Sequence, residues 1–214
     1  MFRVKDFMTS DVICTESDAT ISEIIDLMHT KHIHRVPVVK NDELVGLITE
    51  GMISNSGTQA TSLSIYELNY LLSKTTVHSV MVKDVIYAYE DDLMEDATDK
   101  MLKHDIGCLP VVNPEHKVVG ILTQNDVFKC FLNVLGWGQK GSRITVGVKD
   151  EIGAIGALSK IFVSQNVYFL NLGVYSHTDG VAKIVIRCDA SDPSKLCQAL
   201  EDAGYEVLEQ ASNQ

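Results

Sequence analysis

HRVPVVKNDELVGLIT, residues 34–49, and GCLPVVNPEHKVVGILT, residues 107–123, are one pattern written twice. A shift of 73 positions carries Pro37-Val38-Val39 onto Pro110-Val111-Val112. The same shift carries Met8 onto Met81, Val12-Ile13 onto Val85-Ile86, Met28 onto Met101 and Ile33 onto Ile106. One extra residue in the turn raises the offset to 74, which sets Gly46 on Gly120 and Thr49 on Thr123. Self-similarity at a fixed period marks a unit that cannot bury its apolar face alone. The two copies are therefore expected to close on each other as a pseudo-twofold pair.

Each copy has the same internal order. A β-branched run, Asp11–Cys14 and then Asp84–Tyr87, reads as a short strand. A polar turn leads to an amphipathic helix with Ile21, Ile24, Ile25 and Met28 at i, i+3, i+4 and i+7. Two strands then flank a bend at Asn41-Asp42, and a second helix opens just after the threonine. Between the copies, residues 54–64 read as a polar, flexible connector and residues 65–72 as a helix. GWGQKG, residues 136–141, reads as a glycine-rich hinge.

The remainder has a different pattern. RITVGVKD alternates as a strand and IGALSKIFVSQ is helical. VYFLNLGVYS and VAKIVIRC are strands joined through His177-Thr178-Asp179-Gly180. A helix from Pro193 to near Gly204 precedes a last strand, YEVLE. That order, βαββαβ, is the ferredoxin-like arrangement. The expected architecture is mixed α+β and α/β: repeat 1 over residues 1–57, a linker helix region over 58–77, repeat 2 over 78–135, the hinge, and a C-terminal domain over 142–212.

Composition narrows the function. Of 214 residues, 45% are hydrophobic and 22% charged, which fits a folded globular chain rather than a disordered one. Eighteen basic against twenty-nine acidic residues give a net charge of −11, so neither nucleic acid nor an anionic membrane is expected as a partner. No apolar run approaches a bilayer span, and the opening MFRVKDFMTSD lacks a secretory core, so a cytoplasmic location is expected. The five cysteines form no C-x-x-C pair and read as buried, reduced thiols. His29, His32 and His34 lack a neighbouring cysteine or carboxylate to complete a tetrahedral set, so no metal is expected. No nucleophile elbow, P-loop, G-x-G-x-x-G or H-E-x-x-H is present, so the chain is not expected to be an enzyme or to carry a cofactor.

The paired repeats resemble cystathionine β-synthase (CBS) domains in their tandem form, the Bateman module. The tail resembles an ACT domain, a small amino-acid-sensing βαββαβ unit. The whole order, with the linker helix ELNYLLSKT, resembles the acetoin-utilisation AcuB group. The resemblance implies an adenine nucleotide (AMP, ADP or ATP) in the cleft between repeats. Its ribose would be held by the end of G-h-h-[ST]-x-x-D, intact as Gly120–Asp126, which assigns Thr123 and Asp126. An ionised carboxylate accepts from both hydroxyls of a cis-diol. The first repeat has Met52 where that aspartate belongs.

By the same resemblance, His34 and Arg35 would hold phosphate, whereas the second repeat offers only Gly107 and Cys108. Adenine would lie against Val12, Ile13, Ile33, Pro37 and Ile121. One competent cleft and one degenerate cleft are thus expected. Thr123-x-x-Asp126 also reads as a helix N-cap with an acidic third residue. In the ACT-like tail, Asp150, Gly153 and Asn166 match the ligand positions, with Ile152 where proline is usual. A purely dimerising role is the alternative there.

The implied function is a non-enzymatic sensor, a homodimer acting on an unidentified downstream protein, with a role in acetoin utilisation. The alternatives are a cyclic di-AMP receptor, a regulatory subunit of a partner enzyme, and a structural dimeriser with relic pockets.

Overall fold

In the computed structural model, which describes residues 2–58, 64–178 and 180–213, each hairpin becomes part of a three-stranded sheet. In the first copy, β1 (Thr15–Glu16) pairs parallel with β2 (Arg35–Lys40), which pairs antiparallel with β3 (Glu43–Thr49). Asn41 and Asp42 both take positive φ, 55° and 66°, the backbone that lets a tight hairpin follow the twist of its strands. Helix α1 (Ile21–Lys31) starts on a reciprocal Thr20–Glu23 capping box and buries Ile21, Ile24 and Met28. Ile25, expected on the same face, is 37% exposed. After β3 the chain continues directly into α2 (Glu50–Thr58), so residues 54–58 of the expected connector are helical, and residues 59–63 lie outside the described residues. Asp179, in the expected turn of the C-terminal domain, lies outside them too.

Helix α3 (Ile65–Lys74) and the single turn α4 (Val77–Val80) lead to the second copy. That copy comprises β4 (Ala88–Tyr89), α5 (Met94–His104), β5 (Cys108–Val112), β6 (Val118–Thr123) and α6 (Gln124–Val134). The strands expected at 11–14 and 84–87 do not form; the paired segments are the two-residue β1 and β4 just beyond them. The reason lies between the repeats, where Val12 and Val85 pack with Leu47, Cys108 and Ile121 instead of joining a sheet edge. The two hairpins also bond to each other, Leu44 N–H to the His116 carbonyl and Val118 N–H to the Asp42 carbonyl, both at 3.2 Å.

The repeats exchange arms. Val4, fully buried, belongs to the core of the second copy with Leu109, Val111 and Leu122, and Thr9 bridges to Ile121. Val77 and Met81 belong to the core of the first, and Val82 bridges to Leu47. A side chain at Gly46 would strike Met81 Sδ, and one at Gly120 would strike Met8 Sδ, so both glycines make room for the arm of the other copy. The two copies, expected over residues 1–57 and 78–135, thus complete each other's cores through these arms.

The chain divides into two compact units, Met1–Cys130 and Phe131–Gln214. The second contains β7 (Gly141–Lys149), α7 (Ala154–Ser164), β8 (Phe169–Thr178), β9 (Val181–Cys188), α8 (Ser194–Asp202) and β10 (Glu206–Asn213). Its antiparallel order, β10-β7-β9-β8, is that of a βαββαβ fold. Ile144, Val146, Ile184 and Ile186 of the sheet pack on Leu158, Phe162, Leu196 and Leu200 of the helices. The expected hinge is anchored at its start. Asn171 donates to the Val134 carbonyl, Arg187 Nε to the Leu135 carbonyl, and the Arg187 guanidinium lies 5.4 Å from the Trp137 ring centre.

The arm exchange predicts where damage spreads. Val4→Ala should cost about 2 kcal/mol, the scale of a buried truncation. Hydrogen exchange should show the loss in β5 and β6 rather than in β2 and β3. Equal loss in both copies, or loss confined to the first, would contradict the exchange.

Candidate functional site

A cleft of about 510 Å³ opens between the repeats. Its apolar wall is Leu47, Met52, Val82, Val85, Ile86, Ile106 and Cys108; its polar groups are His34, Arg35, Thr49, Glu50, Asp84 and Asp105. Arg35 opens β2 and Thr49 closes β3, and the two are register partners in the antiparallel hairpin. The basic pair is thereby tied to the motif of its own repeat. His34 and Arg35, expected to face the second-repeat motif, are among the residues that line the cleft of the first.

The charges in the cleft are unequal in availability. His34 Nδ1 lies 2.6 Å from Glu50 Oε2, and Glu50 N–H donates to the His34 carbonyl at 3.0 Å. Both side chains of that pair are largely exposed, so the pair is weak and easily exchanged. The Arg35 guanidinium forms no ion pair or hydrogen bond among the described residues. It reaches across the pseudo-twofold: a Cβ at Gly107 would lie 3.2 Å from Arg35 Nη2 and 3.6 Å from the Gln124 amide. Burial pushes the Cys108 thiol up, and the charge of Arg35 opposes this only in part, so the sulfur beside the guanidinium stays a neutral thiol near pH 7.

None of the residues expected against adenine lines this cleft. Val12 and Ile121 belong to the small cluster between the repeats, Pro37 is buried in β2, and Ile33 lines an outer groove between α1 and α2. Ile13 is half-buried and lines no described pocket. Their repeat-related counterparts are what the cleft presents: Val85 for Val12, Ile86 for Ile13, Ile106 for Ile33 and Leu47 for Ile121. The 73/74 offset carried the signal that would have found them. Applying it to the expected set yields four residues of the observed wall; the counterpart of Pro37, Pro110, is not among the lining residues.

Thr123 and Asp126 are together, but in a different engagement. Asp126 is 3% exposed; its Oδ2 accepts from Thr123 N–H at 2.9 Å and from Thr123 Oγ1 at 2.7 Å. Lys129 Nζ donates to the other oxygen at 2.9 Å. The carboxylate thus caps α6. In the first repeat the bond runs the opposite way, Met52 N–H donating to Thr49 Oγ1 at 3.4 Å.

In the second unit, Asp150 and Gly153 line a smaller hollow of about 230 Å³ with Ile155, Val174 and Ile184. Gly153 takes φ 92° as N-cap of α7, a backbone that favours glycine. Asn166 is not brought to this hollow. It lies past the other end of α7, at φ 54°, with its N–H on the Val163 carbonyl. Eleven residues of helix separate it from the glycine, so the three expected ligand residues do not form one site. All five thiols are free, with Cys14 half-buried and the others buried. Among the described residues no three His, Cys, Asp or Glu side chains converge on a metal position, and no helix is long and apolar enough to cross a membrane.

A family model described as CBS domain matches residues 4–55 and 77–133. Homoserine O-acetyltransferase of Methanosarcina acetivorans is 32% identical over 129 residues, 60% of this chain and 22% of that one. Inosine-5'-monophosphate dehydrogenase of Methanocaldococcus jannaschii is 33% identical over 129 residues, 59% and 23%. The chain thus matches less than a quarter of the length of either enzyme. The CBS domain pair of protein MJ0100, solved with 5'-methylthioadenosine and S-adenosyl-L-methionine, is 29% identical with a TM-score of 0.54, covering 62% of this chain and 98% of that one. A Vibrio cholerae protein assigned to acetoin utilization (AcuB) is 28% identical with a TM-score of 0.53, covering 64% and 94%.

The geometry of Asp126 yields a test that needs no ligand. Asp126→Ala should destabilise the apo protein by about 1–3 kcal/mol, from the lost cap and the unpaired Thr123 donors. Denaturant melts read this directly. An unchanged midpoint would show that the carboxylate is not part of the fold.

Proposed function

As the chain belongs to the CBS-domain family, we propose that it is a non-catalytic regulatory protein whose inter-repeat cleft takes an adenine nucleotide. The observation that carries this reading is an unpaired guanidinium, Arg35, in a 510 Å³ cleft with an apolar wall. That volume lies within the range of small-molecule sites, roughly 300–1,000 Å³. A planar base fits between Leu47, Val85, Ile86 and Ile106, and Arg35 meets a phosphoryl group as a planar fork. His34 leaves Glu50 to join it at small cost, since their pair is exposed. Met52 cannot accept from a ribose, so on this side of the pseudo-twofold the diol falls to Thr49 and to the carboxylates of Glu50 or Asp84.

Ligand binding would bias the arrangement of the two repeats, and a partner protein would read it. Acetoin utilisation is where we propose to seek that partner, because the Vibrio cholerae relative of the CBS pair carries that assignment. A C₂ homodimer is part of the proposal, supported by Leu102 on α5 and Phe128 on α6, 76% and 62% exposed. Cyclic di-AMP offers the same base and phosphate chemistry and belongs in the same ligand panel.

Calorimetry with AMP, ADP, ATP, adenosine, S-adenosylmethionine and cyclic di-AMP tests the reading. Saturable binding of at least one phosphorylated adenosyl ligand is expected, tighter than adenosine and weakened by salt. Arg35→Ala should lower AMP affinity roughly 10- to 100-fold, the scale of a charge-assisted hydrogen bond, and leave adenosine nearly unchanged. No binding across the panel, or an unaltered AMP-to-adenosine ratio in the variant, would refute it.

For the second unit we propose an amino-acid-sized ligand at the hollow beside Gly153, as in an ACT-like sensor. Gly153→Val should remove any thermal shift caused by common amino acids while leaving nucleotide binding intact. If no amino acid raises the melting temperature of the unaltered protein, this half serves another purpose, such as dimerisation.

A further inference from the structure

The sheet of the second unit has a face that α7 and α8 do not cover. Along β9, Ala182, Ile184, Ile186 and Cys188 point into the core, so the alternate residue Arg187 points the other way. Arg143 on β7 and Asn171 on β8 are its register partners, and the three stand side by side on that face. Arg187 is only 6% exposed. Its Nε donates to the Leu135 carbonyl at 2.7 Å, and the Trp137 ring lies over its guanidinium. Nη1 is buried without a hydrogen-bond partner, and no carboxylate pairs with Arg187 among the described residues. A buried cation is costly unless a hydrogen-bonded anion meets it. A like charge directly opposite on the neighbouring strand adds to that cost. Arg143 has its own acid, with Nη1 on Glu209 at 2.7 Å, which leaves Arg187 uncompensated.

We propose that Arg187 is the seat of a small oxyanion, a carboxylate or phosphate group, covered by the Trp137 ring. The neighbours supply what such a group needs. Nη1 offers two N–H donors that the protein does not use. The Arg143–Glu209 pair is partly exposed and therefore weak, so Arg143 can turn its fork toward an added anion. Trp137 is fixed by its backbone, its N–H on the Leu132 carbonyl at 2.9 Å, while its side chain is largely exposed. The ring can therefore leave by rotation about its own bonds. Gly136, at φ 64°, lets the chain pass close by: a Cβ there would lie 3.2 Å from Arg187 Cδ and 3.1 Å from Asn171 Cβ. This seat is separate from the hollow beside Gly153, which Ala182 and Ile184 line from the helix-covered face. It goes beyond the nucleotide reading, which concerns the first unit.

Trp137 is the only tryptophan of the chain, so its fluorescence reports on this site directly. The whole chain is titrated with sodium acetate and with sodium phosphate, ionic strength being held constant with sodium chloride. Its emission should change saturably with at least one of the two anions, and its melting temperature should rise with the same midpoint. Arg187→Gln, shown to be folded by circular dichroism, should give a flat titration. Arg187→Lys keeps the charge but lacks the planar fork, and should raise the midpoint severalfold. It decides the matter where the glutamine variant fails to fold. Arg35→Ala should leave the titration as it is. No saturable change with either anion in the unaltered protein, or an unchanged midpoint in folded Arg187→Gln or in Arg187→Lys, would overturn the seat. Loss of the response in Arg35→Ala would overturn it too, by placing the anion in the inter-repeat cleft. A response that survives Arg35→Ala, in a protein that binds no nucleotide, would uphold the seat and refute the nucleotide reading instead.

Discussion

Leu47 and Ile121, with Val12 and Val85 and the buried Cys108, form an apolar joint between two sheets that neither repeat could cover alone. A unit of some fifty residues buries too little surface to fold well by itself. The chain meets this in two ways. It presses the hairpin ends together at that joint, and it sends Val4 into the second core and Val77 with Met81 into the first. Each core is then incomplete without a segment of chain that belongs to the start of the other copy. The cleft is a by-product of this construction: a cavity framed by two hairpins whose spacing the joint fixes.

A joint on a pseudo-twofold axis imposes a rule on whatever stands at its centre. Equivalent positions approach each other there, and two guanidinium groups in equivalent places would repel. The pair Arg35 and Cys108 satisfies the rule with one long cation and one small neutral side chain, and His34 with Gly107 does the same one residue earlier. Burial holds the Cys108 thiol protonated against the pull of the arginine, so no compensating thiolate forms to cancel the charge. The asymmetry that reads as decay in the sequence is, in three dimensions, what leaves room for the arginine.

Much of the fold was legible because it rests on local signals and on one long-range repetition. The bend at Asn41-Asp42, the βαββαβ order and the linker helix follow from short-range chemistry that tertiary structure did not override. Three features were not legible, each for a physical reason. Val12 and Val85 have strand-forming side chains, but the inter-repeat joint claims them. The arm exchange leaves no local mark, since Val4 is equally apolar in either core. Asn166 shows the remaining limit: a polar residue in the right order along the chain can still lie a full helix away.

The Thr-x-x-Asp motif illustrates why a motif is not yet a role. A carboxylate has about four acceptor positions, and Asp126 spends two on Thr123 and one on Lys129. The two Thr123 bonds cap the start of α6, and breaking them would strand donors there. The Lys129 side chain is 71% exposed, so its amine returns to water with little loss. A diol that approached this aspartate would therefore replace Lys129 and keep the cap, using the one oxygen that the fold does not need. The fold and a ligand can share the same residue only because its two oxygens face different neighbours. In the first repeat Met52 has no carboxylate to divide, Thr49 caps by a single long bond, and the end of the cleft carries no lysine to displace.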